Sequence, residues 1–177
     1  MKLVILDRDG VINADSDDYI KSPEEWKPIP GSLEAIARLT QAGFHVVVAT
    51  NQSGLQRGLF DMATLNAMHD KMHKAVNQLG GSIDAVFFCP HAPDAGCACR
   101  KPQPGMLLEI ARRYKIALAE VAVIGDTLRD LQAASAAGAR PVLVLTGKGA
   151  QTLKSGDLPE GTEVHADLAA AALALSA

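Results

Sequence analysis

Asp7-Arg8-Asp9-Gly10 closes the first apolar run of the chain, and Gly125-Asp126 closes a later one. Asp7 and Asp9 stand two apart, so at a strand end their side chains set out from the same side. Joined by Asp126, they make three carboxylates that repel too strongly to sit together unpaired. A hard divalent cation resolves the crowding, and Mg²⁺ suits few carboxylates, water and a substrate phosphate. The metal set read here is Asp7, Asp9 and Asp126. The other employment for Asp7 and Asp9 is as helix- or turn-capping acids. Asp126, at the corresponding end of a second strand, argues against it.

A second constellation follows the third apolar run. Cys89-x-His91 and Cys97-x-Cys99 gather three thiols and one imidazole within a few turns of chain. Such a set suits a tetrahedral, structural Zn²⁺ with no open position for a catalytic water. Ala92-Pro93-Asp94-Ala95-Gly96 has the composition of a tight loop that folds the two pairs together. Three cysteines is an odd number, which argues against a disulfide framework. The alternative is incidental cysteines, with a Cys97–Cys99 bridge. Zinc here holds Arg100 and Lys101 at the pocket, and the loop is expected to be disordered without it. His69 and His73 also have a metal spacing, but no third ligand accompanies them, so they are expected on a solvated helix face. Tyr19 and Trp26 are expected to pack into a flap between Asp9 and Gly31.

Positioning these groups requires a scaffold, and the chain supplies it as alternating strands and helices. Continuous apolar runs at Lys2–Leu6, Phe44–Ala49, Ala85–Phe88, Val121–Ile124 and Pro141–Leu145 read as strands covered on both faces. Helices with readable ends lie between them: Ser32 to Ala42, Asp61 to about Leu79, Pro104 to Tyr114, Leu128 to Ala137, and a tail capped by Asp167. This alternation predicts an α/β fold, a Rossmann-like, doubly wound parallel sheet flanked by helices, in one domain spanning residues 1–177. Ligands bind beyond the carboxyl ends of such strands. The polar, reactive and glycine residues collect there.

Composition sets the outer limits. A chain of 177 residues with 48% apolar and 21% charged residues can bury a full core, which excludes disorder and coiled coil. The Leu168–Ala177 stretch is about half the length needed to cross a bilayer. Only Leu3 to Leu6 are apolar before Asp7, too few for a signal peptide. A cytoplasmic, soluble protein is expected. A net charge of −3 gives no footprint for nucleic acid or an acidic membrane.

In chain order, Asp7-x-Asp9-Gly10, Thr50, Lys101 and Gly125-Asp126-x-x-x-Asp130 resemble the signature of the haloacid dehalogenase-like phosphatases. The resemblance implies a phosphoric monoester hydrolase. Asp7 is then the nucleophile that forms an aspartyl-phosphate, needing no base because a carboxylate is already anionic at pH 7. Asp9 lends a proton to the leaving alkoxide and later takes one from water, and its carbonyl joins the Mg²⁺ site. Thr50 and Lys101 stabilise the oxygens on which charge builds up. Asp126 completes the metal site. Asp130 either orients a ligand or is only a first-turn acid.

The gaps from Gly10 to Gly31 and from Ser53 to Ala85 are too short for the large cap domains usual in this superfamily, so the cap is minimal. The subset pairing a minimal cap with the zinc loop implies a small phosphorylated substrate. That substrate is D-glycero-D-manno-heptose 1,7-bisphosphate, for ADP-heptose and lipopolysaccharide synthesis, or histidinol phosphate, for histidine synthesis. Pro104–Leu107, Thr146–Lys148 and the free-standing length resemble the heptose enzymes. The resemblance then puts Asp15, Ser16, Asp17, Asp18, Asn51, Gln52, Ser53 and Arg100 against the sugar and its distal phosphate. A monomer is expected. A phospho-acceptor receiver domain would place its acid pair and its acceptor elsewhere, and a zinc-binding interaction module would not need Asp7.

Overall fold

The computed structural model describes residues 1–177 as six parallel strands between two layers of helices. The strands are β1 (Lys2–Leu6), β2 (Phe44–Asn51), β3 (Ala85–Cys89), β4 (Ala122–Gly125), β5 (Arg140–Val144) and β6 (Glu163–His165). The helices are α1 (Ser32–Gln41), α2 (Met62–Gln78), α3 (Gly105–Tyr114), α4 (Leu128–Ala136), α5 (Gly149–Ser155) and α6 (Leu168–Ser176). Five strands and five helices fall where the apolar runs and caps place them. Asp61 and Asp167 cap α2 and α6 through their side chains, as the sequence predicts. The three-residue β6 and the seven-residue α5 are additional elements.

Alternation along each strand feeds two cores. Val4, Leu6, Val46, Val48, Ile124 and Val144 face α1, α2 and α6, whereas Leu3, Ile5, Val47, Ala49 and Val123 face α3 and α4. Each fully buried aliphatic side chain contributes about 1.5–3 kcal/mol, so this double burial accounts for the continuous apolar runs. Trp26 is wholly buried in the first of these cores and anchors the Gly10–Gly31 flap from inside. No helix is long and apolar enough to cross a membrane.

Strand order is β3-β2-β1-β4-β5-β6. Connections from β1 run one way across the sheet and those from β4 run the other. The switch point, where a crevice opens beyond the strand ends, therefore lies between β1 and β4.

Candidate active site

β1 and β4 lie side by side in register, Leu6 opposite Ile124, so Asp7 and Asp126 emerge together at the switch point. The Asp7 backbone N–H donates to the Ile124 carbonyl at 2.9 Å and ties the two ends. Carboxylate oxygens of Asp7, Asp126 and Asp130 lie within 4.8 Å of one another. Gly10, at φ +85°, closes over this cluster, and a Cβ there would collide with the Asp126 carboxylate.

The third carboxylate beside Asp7 and Asp126 is thus Asp130, not the side chain of Asp9. Asp9 reaches the cleft that Asp7 lines, but its hydrogen bonds keep it out of this cluster. Its Oδ1 accepts from Arg8 Nε at 2.8 Å and Asn13 Nδ2 at 2.9 Å. Oδ2 accepts from Gln52 Nε2 at 3.3 Å.

Asp130 is a first-turn acid, as one of the two open readings has it, and it also holds Lys101. Its Oδ2 accepts from the backbone N–H groups of Asp126 and Thr127, both at 3.1 Å, and from the Thr127 hydroxyl at 3.0 Å. Thr127 reciprocates in a capping box that starts α4. Asp130 Oδ1 meanwhile accepts from Lys101 Nζ at 2.8 Å. Lys101 is buried and also donates to the Ala49 carbonyl at 2.7 Å, with Asp7 Oδ1 at 3.2 Å. Asn51 clamps the Lys101 backbone from β2: its Oδ1 accepts from the Lys101 N–H and its Nδ2 donates to the Lys101 carbonyl. Asn51, which also lines the cleft, thereby places Lys101.

Burial, reinforced by Asp130, raises Asp7 well above the ordinary carboxylate range, and neighbouring Lys101 does not offset this. Burial and Asp130 push Asp126 up to about 7, while the Lys148 backbone N–H pulls the other way. Burial alone would also raise Asp130, but Lys101 and Thr127 hold it below its usual value. Lys101 in turn would be lowered by burial, and Asp130 and Asp7 hold it high instead. Burial and the neighbouring carboxylates thus disfavour the ionised form of Asp7. A cation would restore it. Asp126 Oδ1 is buried and accepts no hydrogen bond, an orphan aimed into the cluster. With both Asp130 oxygens engaged, Asp7 and Asp126 provide the free carboxylate oxygens, a donor set that fits a hard divalent cation.

These residues floor a cleft of about 300 Å³ whose lining includes Thr50, Gln52, Ser53, Arg100, Asp15, Ser16 and Asp17. Asp18 lies outside it, exposed, with its carbonyl accepting from Lys21 Nζ. The lining also includes charged and aromatic residues that the sequence did not assign to the pocket, among them Tyr19, Arg57, Arg129 and Lys148. Burial, then the nearby Arg129 and Arg57, lowers Arg100, so three guanidinium groups converge on this wall. Lys148 reaches Asp15 and Asp17 at 3.7 and 3.5 Å.

His69 is a further correction: it is 8% exposed rather than solvated, and its Nε2 lies 3.2 Å from Arg8 NH1. Leu65, His69, Met72 and Val76 share the face that α2 buries. The periodicity therefore contained the signal.

Beside the cleft, Cys89, His91, Cys97 and Cys99 bring their donor atoms within 4.8 Å of one another. His91 Nδ1 lies 3.5 and 3.4 Å from the sulfurs of Cys89 and Cys99, and Cys97 Sγ lies 3.7 and 3.6 Å from the same two. Tetrahedral bonds of about 2.3 Å give sulfur–sulfur edges of about 3.8 Å. The sulfurs of Cys89 and Cys99 also stand in bonding contact, so the pair in contact is not the Cys97–Cys99 pair of the alternative to zinc. A bridge alone would leave Cys97 and His91 Nδ1 converging on it without purpose. A shared metal employs all four. Arg100, one residue on, donates to the His91 carbonyl at 3.2 Å, linking this loop to the cleft.

Comparison with known proteins accords with this geometry. A family model described as HAD-hydrolase-like matches residues 98–171. D-glycero-beta-D-manno-heptose-1,7-bisphosphate 7-phosphatase of Bordetella bronchiseptica is 67% identical over 172 residues, covering 97% of this chain and 96% of that one. The Pseudomonas aeruginosa protein of the same name is 57% identical over 173 residues, covering 98% and 97%. The crystal structure of D,D-heptose 1,7-bisphosphate phosphatase from B. bronchiseptica, complexed with magnesium and phosphate, superposes with a TM-score of 0.98. It is 67% identical and covers 99% of this chain and 98% of that chain.

Proposed function

We infer that this chain, which belongs to the family of D-glycero-beta-D-manno-heptose-1,7-bisphosphate 7-phosphatases, removes the 7-phosphate of that sugar bisphosphate through a phosphorylated Asp7. The observation that carries this reading is the joint placement of Asp7, Lys101 and the orphaned Asp126 oxygen at the β1/β4 switch point.

Asp7 attacks phosphorus in line, and the bond to the sugar oxygen breaks with its electron pair going to that oxygen. Asp9 supplies the proton that makes it a hydroxyl. Water then attacks the same phosphorus, gives its proton to Asp9, and Asp7 leaves as a carboxylate. Lys101, already beside Asp7, meets the charge that spreads over the transferring oxygens, with the Thr50 hydroxyl as a second donor. Mg²⁺ held by Asp7 and Asp126, with the Asp9 carbonyl that the family resemblance implies, supplies neutralising charge when bound. Arg100, Arg57 and Arg129 offer the distal phosphate a cationic wall, and Asp15, Ser16, Asp17, Gln52 and Ser53 the sugar polar partners. One chain builds the whole pocket, so a monomer suffices. Thiolate ligands for Zn²⁺ suit a reducing cytoplasm.

Turnover of heptose 1,7-bisphosphate and histidinol phosphate, compared side by side, tests the substrate. The expected outcome is a kcat/KM at least about 100-fold higher for the heptose, since histidinol has no second phosphate for the three guanidiniums. A preference for histidinol phosphate overturns the assignment. The zinc reading is tested by Cys97→Ser. A Cys89–Cys99 bridge alone would leave Cys97 dispensable. Shared Zn²⁺ predicts that the variant loses bound zinc and about 10- to 100-fold of its activity.

A further inference from the structure

Arg8 lies between the two aspartates of the first motif, yet its side chain points away from the cleft and is 0% exposed. A guanidinium so placed depends on the few partners within reach, because nothing in the surroundings replaces water. Its Nε donates to Asp9 Oδ1 at 2.8 Å, and NH2 stands 2.8 Å from the same oxygen as an ion-pair contact without a hydrogen bond of its own. NH1 turns instead to α2, where it meets His69 Nε2 at 3.2 Å. Arginine can only donate, so His69 accepts through Nε2 and carries its own proton on Nδ1. Burial, then Arg8 and His73, holds His69 at about 4, which keeps the ring a neutral acceptor.

The consequence falls on Asp9. Its Oδ1 is saturated by Arg8 and by Asn13 Nδ2 at 2.9 Å, whereas Oδ2 has only Gln52 Nε2, at the longer distance of 3.3 Å. A proton on Oδ1 would face a guanidinium at contact. We propose that His69 and Arg8 are positioning residues that lock Oδ1 of Asp9 and so make Oδ2 the oxygen that carries the proton to and from the reaction. In the first step the proton leaves Oδ2 for the sugar oxygen as the phosphorus–oxygen bond breaks. In the second, Oδ2 regains a proton from the attacking water. This rests on the phosphatase reading above and adds to it a role for a helix remote from the cleft.

The test compares a leaving group that needs a proton with one that does not. With enzyme in excess over substrate, single-turnover release of the sugar from heptose 1,7-bisphosphate and of nitrophenol from p-nitrophenyl phosphate are measured for wild type, His69→Leu and His69→Gln. His69→Leu removes the acceptor, and the expected loss is about tenfold or more for the sugar ester with KM within about twofold. Nitrophenolate leaves unaided, so its release is expected within about twofold of wild type. His69→Gln places an amide oxygen near the Nε2 position and is expected to recover most of the sugar rate. Equal losses on both esters, or no loss on either, overturn the proposal. So does a His69→Gln protein that melts like wild type yet recovers nothing. A wild-type protein that turns over neither ester would instead overturn the phosphatase reading itself.

Discussion

Asp7→Asn is expected to lose at least about 10⁴-fold in kcat, measured as phosphate released from the heptose bisphosphate, and yet to fold normally. An amide is nearly the same size as a carboxylate, so the packing at the end of β1 survives, but its nitrogen cannot form the acyl-phosphate. The same substitution should raise the melting temperature of the metal-free protein at pH 8. Burial and Asp130 lift the Asp7 pKa in the folded state. A raised carboxyl stabilises the fold fully only below its unfolded value and loses that contribution as pH rises. At pH 8 the bare wild-type site therefore carries a penalty that asparagine does not. An Asp7→Asn protein with normal kcat would end the aspartyl-phosphate mechanism.

Chelating the divalent cation should abolish turnover, and returning Mg²⁺ should restore it while stabilising the fold in a pH-dependent way. Asp126 is lifted from 3.8 to about 7. In the metal-free protein its contribution to stability is intact below about pH 4, declines from there to about 7, and is gone above. A cation relieves this where the carboxyl is ionised and must displace a proton where it is not. Millimolar Mg²⁺ is thus expected to raise the melting temperature by about 5 °C or more at pH 8, with the shift shrinking towards zero at pH 5. A shift as large at pH 5 as at pH 8 would mean that the ion binds elsewhere.

Much of this was legible in the residues because strand-end chemistry is local. Asp7, Thr50, Cys89 and Asp126 each close or follow an apolar run, and in a parallel sheet those ends share one edge. The remainder depends on tertiary placement. Arg57, Arg129 and Lys148 look like solvated loop or helix-start charges until crossovers bring them to one wall. β6 escaped notice because Glu163-Val164-His165 has one apolar residue and sits at the sheet's edge. Strand periodicity does bring Asp9 to the cleft that Asp7 lines, but the hydrogen bonds of Asp9 keep it out of the Asp7–Asp126–Asp130 cluster. The spacing of His69 and His73 suggests a solvated pair, whereas His69 belongs by helical period with Leu65, Met72 and Val76 on the buried face.

The order in which the chain meets itself has a consequence for biogenesis. The Lys148 backbone N–H donates to Asp126 Oδ2 at 2.9 Å, and the Thr146 hydroxyl donates to the Gly10 carbonyl at 2.7 Å. The loop carrying the nucleophile is thus steadied by residues synthesised some 136 positions later. A ribosome must extrude the chain past residue 148 before these two contacts can form. An amino-terminal fragment ending before residue 146 is therefore expected to stay without phosphatase activity however long it matures.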